Sequence, residues 1–216
     1  MYLPKHFAET RVEVMHELMR ARPLATLVTL GSEGLVANHI PLIVSADPPP
    51  FGTLRGHVAR SNPIWRDYSA EVEALAVFHG PDAYVTPSWY PAKRETGQVV
   101  PTWNYATVHA SGRLRIVHDA DWLRTLLDEL TNQQEREFAA PWKVADAPAE
   151  FIQKLLGAIV GIELVITKLT GKWKVSQNQN EANRAGVVDG LRARNQADAS
   201  LIADLIEADL IEQDAE

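Results

Sequence analysis

Between Ala76 and Tyr105 lies the feature that most limits what this chain can fold into, an aromatic run broken again and again by proline. His79-Gly80-Pro81-Asp82-Ala83-Tyr84-Val85-Thr86-Pro87-Ser88-Trp89-Tyr90 is followed, after a polar loop, by Val100-Pro101-Thr102-Trp103-Asn104-Tyr105. Proline has a fixed φ and no N–H. Pro81, Pro87, Pro91 and Pro101 are therefore expected to carry the backbone partly out of a regular ladder, leaving donors and acceptors for a ligand. Tyr84, Trp89, Tyr90, Trp103 and Tyr105 each join a flat apolar face to a hydrogen-bonding edge. Taken singly, any of them suits a core or an oligomer interface; two such clusters flanking one loop suit a planar ligand.

The rest of the chain reads as short strands with small helices between them. Thr10-Arg11-Val12-Glu13 has capping-box spacing, and Met15, Leu18 and Met19 form the apolar face of a helix that ends before Pro23. Leu24 to Leu30 and Leu35 to Val44 read as a hairpin across Gly31-Ser32-Glu33-Gly34, and Thr53 to Val58 as a third strand. Asn62 and Pro63 carry a helix-start signature. Further strands are expected over residues 74–78 and 161–169. A pair over residues 107–111 and 113–117 is expected to fold back across Gly112. Helices are expected over 121–138, from Phe151 to Leu156, and from Glu181 onward. Antiparallel hairpins of this kind predict a mainly β chain with peripheral helices, a β-barrel or α+β fold. No Gly-x-Gly-x-x-Gly follows a strand to support a dinucleotide fold.

Composition narrows the function. Cysteine is absent, which removes disulfides, thiolate nucleophiles and Cys-ligated metal sites. The histidines His39, His57, His79, His109 and His118 stand singly, without the spacing that puts two imidazoles on one helical face, so no metal is expected. Ser88 lacks a nucleophile elbow. A formal net charge of -7 opposes a broad basic surface, and direct DNA binding is not expected. No apolar run is long enough to span a bilayer, and Pro4, Lys5, His6 and Glu9 break any apolar leader. The expectation is a soluble, cytoplasmic protein.

Two polar knots remain. In Arg55-Gly56-His57-Val58-Ala59-Arg60-Ser61-Asn62 a glycine permits close backbone approach, His57 and Arg60 can meet a phosphate, and a helix start follows. The same residues also read as solvated edge charges. Lys174-Val175-Ser176-Gln177-Asn178, directly after Trp173, offers an ammonium, a hydroxyl and two amides, which suit an anion, a heterocycle edge or a helix-capping loop.

These motifs in order, with Gly56 to Pro63, Phe78 to Tyr90, Val100 to Tyr105, Trp173 to Asn178 and the opening Met1-Tyr2-Leu3-Pro4-Lys5-His6-Phe7, resemble the PaiB-type family over nearly the whole chain. Its members are described as FMN-binding negative transcriptional regulators with the FMN-binding split barrel of pyridoxamine-phosphate-oxidase-like flavoproteins. They are generally homodimers with flavin between subunits. The resemblance implies a split-barrel domain with inserted helices over residues 1–175 and a C-terminal helical segment over 176–216. It implies FMN, with Asn38, His39 and Ile40 bordering the isoalloxazine and His57, Arg60, Ser61 and Asn62 around the phosphate. Trp103, Asn104, Tyr105, Lys174, Ser176, Gln177 and Asn178 complete the implied site, and which subunit supplies them is left open. The function implied is a regulator responding to flavin redox state or a metabolite. The alternatives are a flavin-dependent oxidoreductase, a haem-handling split-barrel enzyme, or a structural dimer that keeps the flavin site as a relic.

Overall fold

The computed structural model describes residues 1–214. In chain order the elements are β1 (Ala8–Glu9), α1 (Val12–Ala21), β2 (Leu24–Gly31), β3 (Gly34–Pro41), β4 (Ile43–Ser45), β5 (Thr53–Ala59), β6 (Ala74–Val85), α2 (Ala92–Glu95), β7 (Thr102–Val117), α3 (Ala120–Glu135), α4 (Ala149–Leu156), β8 (Ile159–Lys174), α5 (Glu181–Ala193) and α6 (Ala197–Asp214). The strands form an eight-stranded sheet in the order β3-β2-β6-β7-β8-β5-β4, with β1 added beside β8. The β2–β3, β2–β6, β4–β5, β5–β8 and β1–β8 pairings are antiparallel.

The β2–β3 hairpin forms across the predicted turn, with Leu30 opposite Leu35 and Gly31 opposite Gly34, but its second strand ends at Pro41 and Ile43–Ser45 is the separate β4, paired with β5. Asp67 holds the turn by accepting from the backbone N–H and the hydroxyl of Ser32 at 2.8 and 3.0 Å. Elsewhere the strands outrun their turn signals. Pro81 lies buried inside β6 and does not interrupt it, whereas Pro87 opens a 3-10 turn, Pro91 precedes α2 and Pro101 precedes β7. A residue held near φ -65° continues extended backbone wherever no ladder partner needs its missing N–H.

The expected hairpin across Gly112 is likewise a single strand, β7. Gly112 serves close approach, since a Cβ there would lie 2.1 Å from the carbonyl oxygen of Val165. Asn62 does cap, accepting from the N–H of Ile64 at 3.0 Å. The element it starts is only the 3-10 turn Pro63–Trp65, too short to present the helix dipole expected there.

The fold contains two compact units. One comprises residues 16–78 and 109–169. Within it Leu27, Leu54, Phe78, Ile162 and Leu164 are among the buried apolar side chains. Leu123 of α3 packs with Ile152 and Leu156 of α4 in a satellite core. The other comprises residues 1–15, 79–108 and those from 170 on. Its core joins Val85, Tyr90 and Val175 to Val187 and Leu191 of α5 and Ile202 and Ile206 of α6. Gly186 and Gly190, four apart on α5, let Trp89 lie against that helix. A Cβ at either would meet its carbonyl oxygen or its ring at 2.1–2.2 Å.

Candidate functional site

In the first unit, β3 and the end of β5 bring Asn38, His57, Arg60 and Asn62 to bear. Asn62 fixes the arrangement. Its Oδ1 accepts the N–H of Ile64, so its amide nitrogen must be turned the other way, where it donates to Oδ1 of Asn38 at 2.7 Å. Asn38 must then present its oxygen to Asn62, which leaves its Nδ2 buried with no hydrogen-bond partner. His57 Nδ1 is buried and unpartnered too. Burial holds the His57 imidazole below its ordinary pKa of 6.5, because the charged form is poorly solvated there.

Arg60 is anchored rather than loose. Its Nε donates to the carbonyl of Gly157 at 2.7 Å and one terminal nitrogen to that of Ile159 at 2.8 Å, while its own carbonyl accepts the indole N–H of Trp65. These bonds use two of the five guanidinium N–H donors and set its direction. His39 and Ser61 are exposed, and Ile40 is buried.

In the second unit, β7 and the end of β8 carry the remaining residues. Asn104, 1% exposed, donates from Nδ2 to the hydroxyl of Ser176 at 2.8 Å, and its Oδ1 is buried without a partner. Ser176 has φ +67°, the left-handed region that non-glycine residues seldom occupy. Gln177 stabilises that turn with both ends of its amide, accepting from the N–H of Val175 at 2.8 Å and donating to the carbonyl of Trp173 at 2.7 Å. Lys174 donates to the hydroxyl of Thr102 and to the carbonyl of Trp103. Burial lowers its pKa, the like charge of Lys172 adds to that, and Tyr105 opposes it. Trp103 is 54% exposed and meets Tyr84 edge to face at 5.8 Å between centroids. Asn178 is exposed.

Sequence reasoning passed over Lys172, which is 8% exposed, donates to the carbonyl of Tyr2 at 3.2 Å and stands 5.3 Å from the ring centre of Tyr105. Its signal was available, since it lies two residues before Lys174 and so on the same face of β8. The fourteen residues picked from the sequence thus fall as seven in each unit, and none of them is acidic. In a chain of net charge -7, the lack of carboxylates in either cluster suits each of them to an anionic or electron-rich ligand. Three of the fourteen, Asn38, His57 and Asn104, hold a desolvated polar atom with nothing to bond. Among the described residues no group of three or more His, Cys, Asp or Glu could hold a metal ion, and no helix is long and apolar enough to cross a membrane.

Known proteins resemble this chain closely enough to place it. The profile of the family described as "Putative FMN-binding domain" matches residues 1–168. The chain is 30% identical over 213 residues to the protease synthase and sporulation protein PAI 2 of Bacillus subtilis, a match covering 99% of this chain and all of that one (100%). It is 34% identical over 241 residues to "Uncharacterized protein AN0679" of Emericella nidulans, covering 95% and 96%. Among solved structures, the FAD and heme binding protein of Mycobacterium smegmatis superposes with a TM-score of 0.57 at 20% identity, over 77% of this chain and 73% of that one. That likeness speaks for the fold, the split barrel of flavin-binding proteins.

Proposed function

Because the chain belongs to this family of FMN-binding domains, we propose that it is a PaiB-like regulator that holds FMN and answers to the redox state of the flavin or to a metabolite bound with it. The observation that carries the reading is the set of buried, unpartnered polar atoms on Asn38, His57 and Asn104. A fold seldom leaves such atoms unsatisfied, and a ligand is one way to satisfy them. Within one unit Asn38 offers a donor and His57 an imidazole nitrogen, and within the other Asn104 offers an acceptor, groups that each suit a polar edge of an isoalloxazine. Flavin, when bound, supplies one- and two-electron redox chemistry. The chain's residues hold and orient it. Asn38 donates, Asn104 accepts, Arg60 directs its remaining N–H donors to the phosphate with Ser61 and Asn62, and Lys174 keeps a positive charge near the site.

We infer a homodimer as well. Leu30, Leu35 and Val36, paired or adjacent at the turn end of the β2–β3 hairpin, are 37%, 78% and 38% exposed, a contiguous apolar surface of the kind that marks a protein contact. Sedimentation at micromolar concentration reads this directly, and a flavin-loaded monomer refutes it.

The regulatory reading is tested by hydrogen exchange over β3 and over residues 173–178 in the apo, FMN-loaded and dithionite-reduced protein. Protection that differs between oxidised and reduced forms supports a sensor. Equal protection in the two, with steady reduction of an added electron acceptor by a nicotinamide, favours the oxidoreductase reading instead.

A further inference from the structure

The turn that carries Arg60, Ser61 and Asn62 is held by a residue outside the flavin site as assigned. The N–H of Asn62 donates to the carbonyl of Ala59 at 2.9 Å and closes a β-turn with Arg60 and Ser61 at its centre. That bond holds only the ends. The middle peptide, between Arg60 and Ser61, needs a separate restraint, because type I and type II turns share the closing bond and differ by a flip of this peptide. Trp65 supplies it. The 3-10 turn Pro63–Trp65, which follows the Asn62 cap, brings the indole back to the β-turn, where its N–H donates to the carbonyl of Arg60 at 2.9 Å. The ring is itself braced, with the guanidinium of Arg66 4.1 Å from its centre and His118 edge to face at 5.4 Å.

A trans peptide points its C=O and its N–H in opposite directions. With the Arg60 carbonyl drawn to Trp65, the N–H of Ser61 is turned away from the indole, and it finds no acceptor among the described residues. The guanidinium of Arg60 bonds to the carbonyls of Gly157 and Ile159 and not to a carboxylate, so its charge is left for an anion. We propose that Trp65 is the positioning residue of the flavin phosphate, its indole N–H locking the middle peptide of the turn so that the Ser61 N–H and the Arg60 guanidinium meet the phosphate together. The proposal deepens the flavin reading and rests on it. A flipped peptide would turn the Arg60 carbonyl toward the phosphate in place of the Ser61 N–H, exchanging a donor for a repelling oxygen. It would also require a positive φ at Ser61, which this structure does not have.

Trp65→Phe keeps a ring beneath Arg66 and removes the N–H. Wild type and variant are titrated with FMN and with riboflavin, which differ only in the phosphate, and followed by flavin fluorescence. The variant should bind FMN about tenfold more weakly, the loss of one charge-assisted hydrogen bond, and riboflavin within about twofold of wild type. A merely structural role would weaken both flavins alike. The wild-type protein gives a second reading that needs no variant, since in amide NMR spectra the proton of the Ser61 N–H should move downfield with FMN and not with riboflavin. Unchanged FMN affinity in the variant, equal losses for the two flavins, or a Ser61 amide indifferent to FMN would each overturn the proposal while leaving flavin binding in place. Failure of wild type to bind either flavin would overturn the flavin reading and the proposal with it.

Discussion

Replacing Asn38 by alanine separates folding from ligand binding. In the free protein the Asn38 amide accepts one hydrogen bond from Asn62 at 2.7 Å and carries one buried donor with no partner. The bond contributes about 1 kcal/mol, and an unsatisfied buried donor costs about 1–3 kcal/mol, so deleting both shifts stability by no more than about 2 kcal/mol in either direction. For a chain of 216 residues, that is a midpoint change of at most about 4–8 °C. Flavin affinity responds differently. The donor has already lost its water on folding, so a bond from it to the ligand contributes at the upper end for hydrogen bonds, about 1.5–3 kcal/mol. That corresponds to a rise of roughly ten- to hundredfold in the FMN dissociation constant. Quenching of flavin fluorescence measures the affinity, and urea unfolding of the apo protein measures the stability. An FMN affinity unchanged within about twofold would show that Asn38 Nδ2 does not meet the flavin, and an apo protein weakened by more than about 3 kcal/mol would show that this donor had a partner all along.

Three further outcomes are expected. Gly112→Ala puts a Cβ 2.1 Å from the carbonyl oxygen of Val165, a clash with backbone that no rotamer relieves. It should cost about 3 kcal/mol in denaturant unfolding, and a loss below about 1 kcal/mol would show that β7 and β8 part easily. His57 has a folded-state pKa below its ordinary 6.5, so the unfolded chain takes up a proton that the folded one refuses. The stability present above about pH 6.5 is therefore lost as pH falls from there through the folded-state value. Wild type should lose more stability than His57→Gln between pH 7.5 and a point well below 6.5, and equal losses would assign the effect elsewhere. With net charge -7, the protein should leave the anisotropy of a labelled random duplex unchanged at physiological salt, with or without flavin; submicromolar binding with a steep salt slope would reveal a basic face.

Much of this architecture is legible in the residues, and the exceptions share a cause. The Gly31 to Gly34 turn, the capping by Asn62 and the strand at Thr53 follow from local chemistry, and local chemistry is what sequence patterns report. Pro81 and Gly112 are misread because each residue type has two uses. Proline breaks ladders but also continues an extended edge, and glycine makes turns but also admits a neighbouring backbone, and only the third dimension separates them. The helical tail divides into α5 and α6 at a bend where Asn195 has φ +49°. The polar motifs lead to Asn38, His57 and Asn104 by number, yet nothing local shows that these carry the unpartnered atoms, because burial is set by strands far away in sequence. The same distance hides Lys172, a charged residue expected in water, and the neutral state of His57.

The proposed site would hold FMN at both ends, by amides at the ring and by cationic and polar groups at the phosphate. Titration of the apo protein with FMN and with riboflavin, followed by flavin fluorescence, tests this most directly. The predicted result is one FMN per chain, with riboflavin, which lacks only the phosphate, weaker by about tenfold or more, the loss of a charge-assisted hydrogen bond or two. Equal affinity for the two flavins, or no binding of either, would contradict it.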